Sequence, residues 1–368
     1  MDFSTMVLTM WFDADEFSYE SEERVIAAAV DQSLRACELG FNPWYTEHHF
    51  RGPWHSSPLQ LGAYLAAQIP AERYLGFGVL SAPYYHPVRL VEQMNLLDHL
   101  TKGRTLYGVG SGFAGVEAPA FGLADEHHQS GRAAREGLEI MDRLWAYEGG
   151  EPYEFETELY RGRVVKPVVP SPYRRQRPTI IRTGRRDEAV IESAQRGLPA
   201  FLGTFGADLT TQAALYHEHL AGSGHPPEVV EECLRWSTVD LLSVVVAETE
   251  QEAAEAAREA EAEQMERRRR FLGNSPTPVV GPSVGPQGPT AAGFAKGTDF
   301  LATIAGTPET LAAEIQRIAD LGINHVLVRF IGEWSGNTRA INETSMRLFS
   351  EQVMPRFTER AASQLNVL

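Results

Sequence analysis

Eight times along the chain an apolar run of strand character is followed by a stretch of helical periodicity, and this alternation limits the fold more than any single motif. The strand-like runs are 3–10, 43–47, 74–81, 105–110, 179–182, 200–204, 238–247 and 323–330. Helical patterns follow at 22–39, 58–68, 88–100, 131–147, 187–196, 207–221, 248–270, 309–321 and 341–360. Strands joined by helices lie parallel, because a parallel neighbour is reached only by a long crossover. Eight such units predict an α/β fold, the TIM (β/α)8 barrel, as one domain over residues 1–368. Local signals agree with the boundaries. Gly40 follows the first helical pattern as a stop, and Thr307-Pro308 supplies an N-cap and first-turn pair. Residues 152–177, rich in Pro, Tyr and Arg, are expected to make an excursion over the surface. Residues 271–298 are crowded with Gly and Pro and lack periodicity, which predicts a mobile insertion between strand 7 and the last strand.

In a barrel of this kind the chemistry is carried at the C-terminal ends of the strands. Polar groups recur there: Glu47-His48-His49-Phe50, His86-Pro87-Val88-Arg89, Gly103-Arg104, Gly108-Val109-Gly110-Ser111-Gly112 and Thr183-Gly184-Arg185-Arg186. Neighbouring strand residues point to opposite faces, so at most one of His48 and His49 can easily face the pocket. An imidazole there can exchange a proton near neutral pH, although packing histidines held by Glu47 satisfy the same pattern.

The glycines at 108, 110 and 112 let a flat ring or a phosphate approach the backbone, but they lack the setting of a dinucleotide fingerprint. Thr183–Arg186, just before a helix, offers backbone N–H groups, a hydroxyl and two guanidiniums to an anion, and equally makes an ordinary helix cap. Arg132, near a helix start, could reach the same anion or form a surface ion pair.

Charge narrows the partners. Lys and Arg total 33 against 49 Asp and Glu, a formal net charge of −16, which disfavours nucleic acid and anionic membrane surfaces. No apolar run of 18 residues is present, so no membrane span is expected. The start carries no leader-like pattern, and Cys37 and Cys233 form no disulfide framework. A cytoplasmic protein with reduced thiols and no metal site is expected.

Together these motifs resemble the luciferase-like flavin monooxygenases, most nearly the catalytic α subunit of bacterial luciferase. The resemblance is densest over 40–112, where Glu-His-His-Phe, His-Pro-Val-Arg, Asn95-Leu96-Leu97-Asp98 and Lys102-Gly103-Arg104 follow in the family's order. It continues through Arg196-Gly197-Leu198-Pro199, Gly306-Thr307-Pro308-Glu309 and Val353-Met354-Pro355.

The resemblance implies reduced FMN as cofactor, O2 as co-substrate and oxygen transfer to a small organic molecule through a flavin peroxide. It implies His48 as the catalytic histidine with Glu47 as its supporting neighbour. Gly78-Val79 falls where the family often has a non-proline cis peptide under the flavin. Gly110 and Ser111 stand beside the ring, and Arg132, Thr183, Gly184, Arg185 and Arg186 match the phosphate regions. A separate flavin reductase is implied because the chain carries no nicotinamide fingerprint, and a homodimer because relatives commonly dimerise. Luciferase α subunits carry a cysteine and an arginine where this chain has Gly110 and Ser111. The lost thiol is expected to leave room over the ring, and light emission does not follow. A deazaflavin-dependent oxidoreductase, a one-component FMN enzyme and a non-enzymatic flavin-binding partner subunit are the alternatives.

Overall fold

The structure is a computed structural model that describes residues 1–7, 19–49, 55–112, 117–123, 127–184, 186–203, 207–272, 303–332 and 334–358. In chain order its elements begin β1 (Asp2–Met6), α1 (Tyr19–Glu38), β2 (Asn42–Tyr45), α2 (Pro58–Leu65), β3 (Leu75–Ser81), α3 (Pro87–Thr101), β4 (Thr105–Gly110) and α4 (Glu117–Ala120). Next come α5 (His127–Ala146), β5 (Tyr153–Glu156), β6 (Arg161–Val164), β7 (Thr179–Arg182), α6 (Asp187–Gln195), β8 (Phe201–Leu202), α7 (Leu209–Gly222) and α8 (Pro227–Trp236). The last are β9 (Thr238–Val246), α9 (Glu250–Leu272), β10 (Ile304–Gly306), α10 (Pro308–Asp320), β11 (His325–Phe330) and α11 (Arg339–Leu348). The alternation of parallel strands and helices is that of a (β/α)8 barrel.

Local chemistry sets the ends of these elements. Pro87 opens α3, which stops at Lys102 in the left-handed conformation followed by Gly103 at φ +78°. Gly40 ends the first helical segment at φ +88°, and Thr307 caps α10 by accepting from the Thr310 N–H.

The chain forms two compact units. The first comprises Met1–Pro43 and Gly184–Leu368. Its strands run β10-β9-β11-β1, with β8 also on β9, all parallel. Phe3, Phe41, Phe330 and Phe349 meet edge-on or tilted at 5.5–5.9 Å beneath the helices. The opposite strand face is polar at its base. Both ring nitrogens of buried His325 lie 2.7 Å from hydroxyls, Ser4 Oγ on β1 and Thr238 Oγ1 on β9.

The second unit is Trp44–Thr183. Trp44 and Tyr45 pair with Gly76 and Phe77 of β3, β3 pairs with β4, and β4 with β7. Tyr45, Phe77 and Tyr107 stack in a row at 5.7 and 5.5 Å between centroids. Gly76 must be glycine, because the Trp44 indole occupies the place of its Cβ. Two residues of the Asn95–Asp98 motif are structural. Asn95 Nδ2 donates to the Pro170 carbonyl at 2.7 Å and Asn95 Oδ1 accepts from Trp145 Nε1 at 2.9 Å. Asp98 accepts from the Tyr173 N–H at 2.8 Å, so the motif fastens the excursion at 152–177 to α3.

The structure adds elements that periodicity does not show. The excursion carries the antiparallel hairpin β5–β6, with Tyr153 opposite Val164 and Phe155 packed inward. β10 extends the edge of β9, with Ile304 opposite Val244; three residues are too few to give a period. Of the insertion expected at 271–298, residues 271–272 close α9 and 273–298 lie outside the described residues. No helix among the described residues is long and apolar enough to cross a membrane.

Candidate functional site

The site in the second unit starts at the end of β2, where extended backbone carries Glu47 and His49 to one side and His48 to the other. An isolated bridge between Glu47 and His55 holds this segment, with the His55 N–H donating to Thr46 O at 3.1 Å.

Glu47 is buried and makes three contacts. Its Oε2 accepts from the Ser81 N–H at 2.7 Å, and its Oε1 accepts from the Tyr85 hydroxyl and lies 3.2 Å from His49 Nε2. Burial, with the Glu47 carboxylate next to it, pushes the Tyr85 phenol well above its ordinary range, so Tyr85 stays a donor. His49 then stands edge-on to Phe121 at 4.7 Å and to Tyr84 at 5.6 Å, and those two rings stack at 4.3 Å and 8°.

His48 takes a different partner. Its Nδ1 lies 3.0 Å from Oε1 of Glu117, a wholly buried carboxylate on the short helix α4, while the His48 side chain remains 19% exposed. With Glu117 ionised, Nδ1 carries the proton of that bond, and proton exchange with a reactant falls to Nε2. Glu47, expected as the support of His48, bonds to His49, Tyr85 and the Ser81 N–H. Alternation along the strand turns Glu47 toward His49 and Tyr85, and the carboxylate that orients His48 comes from elsewhere. Glu117 Oε2 is buried and has no hydrogen-bond partner among the described residues.

The glycine cradle lies across the ends of β3, β4 and β7. The Gly78-Val79 peptide is cis, as expected. The Gly78 carbonyl is held by Trp44 Nε1 at 2.7 Å and Thr46 Oγ1 at 2.9 Å. Val79 is the one residue of β3 that is not fully buried. Thr183 bonds back to the Val109 carbonyl through both its N–H and its hydroxyl, each at 3.2 Å. A Cβ on Gly110 would fall on Val79 Cγ1 and 2.6 Å from Thr183 Oγ1. Hence the absence of a cysteine at 110 does not open space: Val79 and Thr183 have closed onto the position. Ser111 follows, partly exposed, and Gly112 turns at φ +74° with Tyr84 and Ser81 against it. Ser81 pairs with Gly110 and also donates to Glu47, so the cradle and the histidine segment share one anchor.

The expected phosphate residues are placed unevenly. Val79, Gly110 and Thr183 converge, as described. Arg132 is turned to carboxylates, with Nη2 2.5 Å from Glu158 and Nε 3.9 Å from Glu136. In the first unit Gly184 packs on the Ala189 methyl, and exposed Arg186 precedes α6, whose first turn carries Asp187 and Glu188. Arg185 lies outside the described residues. Among the described residues no group of three or more His, Cys, Asp or Glu could hold a metal ion.

Sequence reasoning missed Glu117, Tyr85 and the Tyr84–Phe121 stack. Nothing in a spacing of 69 positions points from His48 to Glu117. Tyr84 and Tyr85 do precede His86-Pro87 directly, and polar-tipped aromatics at a strand end were a usable signal.

Comparison with known proteins agrees with this architecture. The sequence profile of the luciferase-like monooxygenases matches residues 6–325. Limonene 1,2-monooxygenase of Rhodococcus erythropolis is 28% identical over 347 residues, covering 89% of this chain and 82% of that protein. The monooxygenase RslO1 of Streptomyces bottropensis superposes with a TM-score of 0.75 at 21% identity, over 97% of this chain and 100% of the other. The oxygenating constituent of 3,6-diketocamphane monooxygenase from a Pseudomonas putida plasmid, solved with FMN, gives a TM-score of 0.69 at 18% identity, over 97% and 99%. A family match across most of the chain, on a barrel with the expected strand-end residues, establishes that this chain belongs to the luciferase-like monooxygenase family of oxidoreductases.

Proposed function

We propose that the chain is the oxygenase of a two-component monooxygenase, using reduced FMN from a separate reductase and O2 to oxidise a small organic substrate. The observation that carries this reading is the His48–Glu117 pair, an oriented imidazole with one partly exposed edge, joined through Glu47 and Ser81 to the glycine cradle. The limonene monooxygenase relative and the FMN-bound diketocamphane monooxygenase support both the cofactor and the substrate class.

The residues present fit a flavin. A flat ring needs a surface it can approach closely, and partly exposed Val79 and Gly112, with the Ser111 hydroxyl between the glycines, provide one. Thr183 and Ser111 offer hydroxyls near it, and the Thr183 hydroxyl would serve the phosphate. When bound, the flavin supplies the reducing electrons and the place where oxygen is activated. The chain's own part would be to hold the cofactor at the Val79–Gly112 surface and to move a proton at His48 Nε2. Glu117 sets the tautomer for that transfer and stabilises the imidazolium that results. Glu47, held by Ser81 and Tyr85, fixes the strand end from which His48 projects.

Rapid mixing of the protein with reduced FMN and then O2, with and without limonene, tests the reading. A reoxidation that slows relative to free FMN, with oxygen entering the organic product, is expected. Oxygen-independent reduction of a deazaflavin, or no oxygenated product from a panel of terpenes and ketones, would overturn it. The homodimer belongs to the same proposal. Tyr64 on α2, with Leu96 and Leu100 one helical turn apart on α3, are exposed by 63%, 53% and 48% and would be covered by a second copy. Sedimentation reads that directly.

A further inference from the structure

The polar strand face of the first unit does not end at His325. Two residues beyond Thr238 on β9, on the same face, stands Asp240; four residues beyond His325 on β11, also on that face, stands Arg329. Asp240 is level with Leu327, so Arg329 lies one step further toward the C-terminal strand ends, the side on which barrel proteins bind ligands.

The two polar levels are treated differently. At the lower one, both nitrogens of His325 are taken up by hydroxyls at 2.7 Å. At the upper one, Asp240 Oδ1 is shut off from solvent and has no hydrogen-bond partner among the described residues. Burial pushes this carboxyl up to about 7, and the Arg329 guanidinium offsets the shift only in part. Buried polar atoms are nearly always paired, so an acceptor left open among the described residues is suited to a donor on a bound molecule.

We propose that Asp240 and Arg329 form a recognition site for an uncharged, hydroxyl-bearing small organic molecule. Its O–H donates to Asp240 Oδ1, and its oxygen accepts from the Arg329 guanidinium. The pair selects this chemistry by its charges. A ligand ammonium meets the guanidinium, a ligand carboxylate or phosphate meets Asp240, and a hydrocarbon leaves the acceptor open. A hydroxyl carries donor and acceptor on one atom and satisfies both residues.

The full-length protein without flavin is titrated calorimetrically at pH 8, where the Asp240 carboxyl is ionised, with cyclooctanol and with cyclooctane, which differ only in the hydroxyl. Tighter binding of the alcohol, by about ten-fold or more, is expected from one buried hydrogen bond to a charged group. Asp240→Leu should abolish that preference, and Asp240→Asn, which keeps a carbonyl and the side-chain shape, should reduce it several-fold with a melting temperature no lower than the parent's. Equal binding of the two probes, binding of neither, or an unaltered ratio in Asp240→Asn overturns the site. Because no flavin is present, that failure would leave the oxygenase reading standing, and failure of oxygenation would leave this site standing.

Discussion

His48 and Glu117 are 69 positions apart in the chain, and their side chains meet at 3.0 Å with the carboxylate wholly buried. A histidine that is oriented by a buried carboxylate has one nitrogen assigned to structure and one to chemistry. That division of labour turns a strand-end histidine into a candidate catalytic group, and it is checked most directly at the carboxylate.

Glu117→Gln keeps the size of the side chain but removes the charge that fixes the His48 tautomer. Turnover with reduced FMN and a saturating organic substrate should fall by roughly 10- to 100-fold, with KM little changed and the pH–rate profile displaced. His48→Ala should lower turnover at least as far. A Glu117→Gln protein with unaltered kcat and pH profile would show that the bond is only structural.

Gly110→Ala tests whether the cradle is closed. The added methyl meets Val79 and Thr183, and overpacking of this kind costs roughly 1–3 kcal/mol. A lower melting temperature together with weaker FMN binding is expected. A variant that binds FMN as the parent does would show that the cradle relaxes and that a cysteine could be accommodated there.

His325 makes stability depend on pH. Burial lowers its pKa from 6.5 to about 4 in the folded chain, so between those values the unfolded chain binds more protons than the native one. The native state therefore loses stability as pH falls from about 6.5 to about 4, by ~3 kcal/mol in all. Urea unfolding of wild type and His325→Gln across that window should show a steeper acid slope for wild type. Equal slopes would remove His325 as the cause.

Asp240 acts with the opposite sign. Its carboxyl is raised from 3.8 to about 7, so the native chain holds a proton that the unfolded chain has released, and stability falls as pH rises through that interval. Asp240→Asn should therefore stabilise the protein at pH 8 by up to ~4 kcal/mol and leave it nearly unchanged at pH 4. Destabilisation at pH 8 would mean that the attraction of the Arg329 charge outweighs burial.

Much of this protein is written locally. The Gly40 stop, the Thr307-Pro308 start of α10 and the apolar runs that became β3, β4 and β11 are properties of short segments, because hydrogen bonding and side-chain periodicity act over a few residues. The polar strand ends at 47–49, 108–112 and Thr183 were legible for the same reason, once parallel strands placed them at one end of their sheet. Tertiary structure decided the rest. It set Glu117 rather than Glu47 beside His48, drew Val79 and Thr183 over Gly110, fastened Arg132 to Glu158 and Glu136, and left Asp240 Oδ1 without a donor among the described residues. Each of these depends on which side chains distant strands bring within a few ångströms. Contacts of that kind have no period in the sequence, so only the packed chain reveals them.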